Sequence, residues 1–123
     1  MKAWIGAIAL VGLLASGSAV ALDGNGLLSA CQTTIRYSEG AKDVSPVDVG
    51  QCTGIVEGVE GTVIILNESV KPDMKTCFPA NGTTNIQKAR IVVKYMLEHP
   101  EQLHLPAAAL TLIAYAGAFP CKK

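Results

Sequence analysis

Four cysteines, Cys31, Cys52, Cys77 and Cys121, set the narrowest limits on what this chain can fold into. All of them follow residue 21, and the segment ahead of them has the form of a secretory signal peptide. Lys2 gives it a positive start, Trp4 to Leu14 is an unbroken apolar and small-residue run, and Ser18-Ala19-Val20-Ala21 ends in the A-x-A pattern that signal peptidase accepts. Cleavage is expected after Ala21. The run is too short to cross a hydrocarbon core of ~30 Å and no stop-transfer pattern follows, so residues 22–123 are expected to be periplasmic, with no membrane attachment after cleavage. An even cysteine count in a small exported domain reads as two disulfides, with three pairings possible. The chain has no C-x-x-C, and its only histidines, His99 and His104, lie far in sequence from most of the cysteines. Zinc and thioredoxin-like redox sites therefore lack their usual spacing.

Residues 22–123 make one domain by length, with a core small enough to gain from covalent bracing. Losing Lys2 leaves nine of the ten Lys and Arg against ten Asp and Glu, a net charge of minus one. Nucleic-acid binding needs a basic surplus gathered on one face, so it is not expected.

The pattern of the mature part is helical throughout. Asp23-Gly24-Asn25-Gly26 can cap a first helix, from about Asn25 to Ser38, with Leu27, Leu28, Cys31 and Ile35 on one face and a stop at Gly40. Ser45-Pro46-Val47-Asp48 starts a second helix, from Pro46 to about Asn67, because serine caps, proline suits the first turn and aspartate meets the positive end of the dipole. Val49, Cys52, Val56, Val59, Val63 and Leu66 form its apolar stripe. Gly54, Gly58 and Gly61 each cost ~1 kcal/mol relative to alanine inside a helix, so they point to close contact with another helix, within the monomer or across a dimer. The β-branched content leaves a strand as the alternative for Thr62 to Leu66. Residues 67–85 read as a loop with turns at Lys71-Pro72-Asp73 and Phe78-Pro79-Ala80-Asn81-Gly82. Asn67-Glu68-Ser69 and Asn81-Gly82-Thr83 match the N-glycosylation pattern, which carries little weight behind a bacterial-type signal.

Thr84 and Gln87 form a capping box for a third helix that runs through Glu98, with Ile86, Arg90 (by its stem), Val93 and Leu97 inward, Ala89 and Met96 beside them, and Gln87, Lys88 and Lys94 wet. His99-Pro100 stops it, and Pro106 restarts a last helix with Leu110, Ile113, Ala114 and Gly117 inward. The expected fold class is all-α, a small disulfide-braced bundle of about four helices. If the first two helices form a hairpin turning near residue 41 or 42, Cys31 and Cys52 are equidistant from the turn. That favours Cys31 with Cys52 and leaves Cys77 for Cys121.

Residues that could carry chemistry are few. His99 and His104 with Glu98 and Glu101 resemble an acid/base or metal site, but no third ligand or nucleophile accompanies them, and the bland reading is a proline-started turn with its carboxylate at the positive end. Glu57 and Glu60 share a helix face and read as its wet side rather than as an acid/base pair. Paired cysteines leave no thiol nucleophile, and no G-x-S-x-G motif is present. The chain is therefore not expected to be an enzyme or to hold a cofactor or metal.

Gly24-Asn25-x-Leu27-Leu28-x-x-Cys31, Cys52-x-Gly54-x-x-x-Gly58-Val59, Cys77-Phe78-Pro79, Tyr95-Met96-Leu97-x-His99-Pro100-Glu101 and Ala118-Phe119-Pro120-Cys121, in this order behind a signal peptide, resemble the Rap1a/Tai family of immunity proteins. The resemblance covers nearly the whole mature chain. It implies a periplasmic, helical, often dimeric protein that binds and silences a toxin delivered by type VI secretion, typically a peptidoglycan amidase. Many relatives hold an aromatic residue and an aspartate where this chain has Ile55 and Glu60. Inhibition is expected by occlusion of the toxin's active site. The expected contact residues lie on two polar, projecting connections: Glu68, Lys71 and Asp73 on the first, and Glu98, His99, Glu101, Gln102 and His104 on the second. The alternative is a general periplasmic helical chaperone or stress protein, which would bind many unfolded clients.

Overall fold

The computed structural model describes residues 21–121. The expected signal peptide, but for Ala21, lies outside the described residues. Four α-helices fill the described chain: α1 (Gly24–Ser38), α2 (Pro46–Leu66), α3 (Asn85–Glu98) and α4 (Ala107–Ala118), with single 3-10 turns at Pro72–Met74 and Pro100–Gln102. Among the described residues there is no strand, only isolated bridges joining Asp23 to Pro106 and Thr76 to Pro120. The strand alternative for Thr62 to Leu66 is thus corrected to helix, and the Thr62 hydroxyl donates to the Gly58 carbonyl at 2.7 Å.

The helix starts follow from their caps. Side-chain oxygens of Asp23, Ser45 and Thr84 accept the backbone N–H of Gly26, Asp48 and Gln87 at 3.0, 3.3 and 3.1 Å, each satisfying a donor that has no partner inside the helix. After α1 the chain turns at Gly40, whose φ of 104° lies in the region that only glycine enters without strain. The α1–α2 hairpin then brings Cys31 against Cys52, and the long connection brings Cys77 against Cys121, both as disulfides with Cα atoms 5.0 Å apart.

α1 packs most extensively against α2 and α3, and α4 lies against both α2 and α3. The core gathers Leu27, Ala30 and Cys31 of α1, Cys52 and Val56 of α2, Ala89, Val92 and Met96 of α3, and Leu110, Ala114 and Tyr115 of α4. Phe78 seals one end, its ring 5.3 Å from those of Tyr115 and Phe119.

Two helices are rotated from the expected phase. On α3 the buried stripe is Lys88, Ala89, Val92, Val93 and Met96, whereas Leu97 is 59% exposed and Arg90 faces out to Glu39. Lys88, expected to be wet, is 4% exposed. On α4 Ala107, Leu110, Thr111, Ala114 and Tyr115 are buried, whereas Ile113 and Gly117 are exposed. The cause is common to both helices: polar residues take inward positions because their polar ends find partners. The Thr111 hydroxyl donates to the Ala107 carbonyl at 2.9 Å and the Tyr115 hydroxyl to the Val56 carbonyl at 2.7 Å. Counting apolar residues alone therefore places Ala89, Val93, Met96, Leu110 and Ala114 inward as found but turns each helix by part of a turn from its true phase.

α2 departs further. Cys52, Val56 and Val63 are buried, but Leu66, expected on the inner stripe, is exposed, as are Val47, Ile64 and Ile65. The expectation that its glycines touch another helix within the monomer is also corrected: a Cβ built on Gly54, Gly58 or Gly61 would have no neighbour within 4 Å. The glycine pressed against backbone is Gly24, where a Cβ would sit 2.7 Å from the Leu103 carbonyl oxygen and 2.9 Å from its Cα, whereas Gly26 is close only to the Leu22 side chain. By length and composition alone α2 could cross a membrane.

Candidate functional site

The first polar connection follows α2. Asn67 clasps it at both ends: its side-chain amide donates to the Thr76 carbonyl at 2.7 Å, and the Thr76 N–H donates back to its side-chain oxygen at 3.2 Å. This makes Asn67 a structural residue, committed inside the fold rather than offered at the surface of its glycosylation-like triplet. Between the clasped residues Pro72–Met74 forms its single turn, closed by the Met74 N–H on the Lys71 carbonyl at 2.9 Å. Glu68, Lys71 and Asp73 are exposed and form no ion pair with a described residue. Met74, 68% exposed, lines a groove of about 490 Å³ shared with Asp73, Lys75, Ala116, Pro120 and Cys121. The Cys77 N–H donates to the Phe119 carbonyl at 2.8 Å beside the Cys77–Cys121 disulfide, so the segment is held at its far end as well.

The second connection, from Glu98 to Leu105, is fastened to the start of α1. Gly24 and Asn25 donate their N–H groups to the Leu105 and Leu103 carbonyls at 3.0 and 3.1 Å, and the Asn25 side chain adds 3.2 Å to Leu103. Within the turn the Tyr95 hydroxyl donates to Gln102 at 2.6 Å, the Tyr95 and His99 rings stack with centroids 4.4 Å apart, and His99 Nδ1 meets a Glu101 carboxylate oxygen at 3.0 Å. Backbone hydrogen bonding, reinforced by His99, holds the Glu101 carboxyl below its ordinary range. His99 and Gln102 therefore serve the turn itself, whereas Glu98, Glu101 and His104 are exposed on it.

The two connections do not meet. One abuts the C-terminal end of α4 and the other precedes its N-terminus, so the length of a 12-residue helix, ~18 Å, separates them. Nor do the histidines converge: His99 is engaged with Glu101, and His104 stands beside Leu22, Asp23 and Pro106. Among the described residues no group of three or more His, Cys, Asp or Glu is placed to hold a metal.

Sequence reasoning missed the polar seam between α2 and α3. Asn85 donates to Glu57 at 2.6 Å, and one turn further on the Lys88 ammonium pairs with the Glu60 carboxylate, the lysine buried and the glutamate side chain 17% exposed. Glu60, read as wet, is thus partly buried and braces the packing. A signal was present: Lys88, Val92 and Met96 recur every four residues, which puts the lysine on the buried stripe.

A helical body with paired cysteines, no metal cluster among the described residues and fixed polar connections is suited to presenting a surface. The family model of Rap1a immunity proteins matches residues 23–121. The chain belongs to the Rap1a immunity protein family. At the level of the family it is a periplasmic type VI secretion immunity protein rather than an enzyme, and its partner is a secreted effector protein. No curated protein and no solved structure matches the chain. The two substitutions against the family pattern sit in packed positions: Ile55 is partly buried against the core and Glu60 carries the pair to Lys88.

Proposed function

We propose that this Rap1a protein, released by cleavage after Ala21, inhibits a peptidoglycan amidase effector by covering its active-site cleft with a preformed loop. The observation that carries the reading is the Asn67–Thr76 clasp backed by the Cys77–Cys121 disulfide, which fixes a polar, unpaired segment before any partner arrives. A loop ordered in advance loses little entropy on binding. Glu68, Lys71 and Asp73 make the primary contact, and Glu98, His99, Glu101, Gln102 and His104 form a second contact at the other end of α4. The outer face of α2, with Gly54, Gly58 and Gly61 open and Glu57 as its exposed charge, supports a homodimer formed through that helix.

The test is a charge-reversal scan of both segments against the cognate effector. At least a tenfold loss of affinity is expected at Glu68, Lys71 or Asp73, and unchanged affinity throughout removes both segments from the interface. The exposed apolar residues of α2 favour one second reading, a general chaperone for unfolded clients. Capture from periplasm separates the two, since an inhibitor retains one stoichiometric partner and a chaperone retains many.

A further inference from the structure

The two disulfides live in opposite surroundings. Cys31 and Cys52 are both fully buried between α1 and α2. Cys77 is exposed, and Cys121 is partly exposed at the groove that Met74 and Lys75 line. The Cys121 sulfur lies 3.3 Å from the Lys75 carbonyl oxygen, and Cys77 is the more exposed residue of the pair. Access by a thiolate governs which disulfides exchange in a folded protein. We propose that Cys77–Cys121 is a thiol–disulfide exchange site, open in the native state to a dithiol reductant, and that Cys31–Cys52 is closed to it.

The exchange balances without any other reagent. One thiolate of the dithiol attacks the Cys77 sulfur and forms a mixed disulfide, and Cys121 leaves as a thiolate that takes up a proton. The second thiol of the reagent then gives up its proton and attacks its own sulfur in the mixed disulfide, releasing Cys77, which is protonated in turn. The dithiol is oxidised to a disulfide and the protein bond is reduced by two electrons. What opens is local. Phe119 keeps its carbonyl bond to the Cys77 N–H and its ring against Phe78. Exchange therefore unties Cys121 at one wall of the groove beside the Pro72–Met74 turn, while the Thr76–Pro120 bridge and the helices stay in place. The site stands whether or not the immunity reading of that turn is right.

The oxidised protein is incubated in non-denaturing buffer with excess dithiothreitol, quenched over time with iodoacetamide and peptide-mapped, with far-UV circular dichroism followed in parallel. The expected result is a species alkylated at Cys77 and Cys121 alone, forming at least tenfold faster than label enters Cys31 and Cys52, with the helical signal retained. The proposal is overturned by labelling of all four cysteines at one rate, by earlier labelling of Cys31 and Cys52, or by helical signal lost in step with the first label. It is equally overturned if Cys77 stays unlabelled while oxidised glutathione in the same tube is reduced.

Discussion

The Lys88–Glu60 pair gives the sharpest test of how α3 is held. Replacing Lys88 with methionine keeps the buried stem and removes the charge, leaving the Glu60 carboxylate, 17% exposed, without its counter-ion. Replacing Glu60 with methionine leaves the ammonium, 5% exposed, alone. Breaking a buried pair from one side costs about 3–5 kcal/mol, whereas replacing both members with apolar residues of similar volume is often neutral. K88M should sit at the lower end of that range, because its orphan keeps some water, and E60M at the upper end. For a domain of this size a loss of ~3 kcal/mol lowers Tm by roughly 12–24 °C. The K88M/E60M double variant should return to within ~1 kcal/mol of the parent, a coupling of at least ~5 kcal/mol. Urea unfolding followed by circular dichroism reads these values as shifts in midpoint at constant slope. Two single variants that each cost under ~1 kcal/mol, and simply add in the double, would refute the buried link.

Three further outcomes follow from the packing. Burial, and to a lesser degree the Glu60 charge, raises the Tyr115 hydroxyl above its ordinary value of 10.0; because the unfolded chain ionises first, stability holds below pH ~10 and falls as pH rises beyond it, and Y115F should flatten that decline in urea midpoints between pH 9 and 11. The same substitution costs ~1 kcal/mol at neutral pH by removing the bond to the Val56 carbonyl. Alanine at Gly54, Gly58 or Gly61 should stabilise the monomer by up to ~1 kcal/mol each, whereas Gly24→Ala should destabilise it by ~1–3 kcal/mol through overpacking on Leu103; thermal melts at low concentration check both signs. The Glu101 carboxyl should titrate below 4.5 by carbon-detected NMR, so its contribution to the turn is present above that value and lost as pH falls through the lower one; H99A should raise the midpoint only part way, since backbone hydrogen bonding is the larger cause.

Helix boundaries and cysteine pairing were legible in the sequence because short-range chemistry decides them. Asp23, Ser45 and Thr84 announce the starts of α1, α2 and α3, Gly40 the first turn, and the distances of Cys31 and Cys52 from that turn their pairing. The orientation of α3 and α4 was less so, because it rests on Lys88, Thr111 and Tyr115 turning inward to partners on other helices or one turn back, and only the four-residue recurrence of Lys88, Val92 and Met96 marks it. Glu60 and Lys88 are separated by 28 positions, and nothing local to either announces the other. The candidate contact segments were recognisable as polar connections. Their placement at opposite ends of α4, and the use of His99 and Gln102 within their own turn, arise only from tertiary packing.

The pairing of Cys31 with Cys52 and of Cys77 with Cys121 has a kinetic consequence. Each bond joins two consecutive cysteines, so the two closed loops neither overlap nor nest. An oxidant that meets the thiols in the order in which an N-to-C emerging polypeptide delivers them closes the native bonds at the first attempt. Reshuffling, which takes seconds to hours, is then unnecessary, and the hairpin of α1 and α2 can be locked before α3 and α4 are even present.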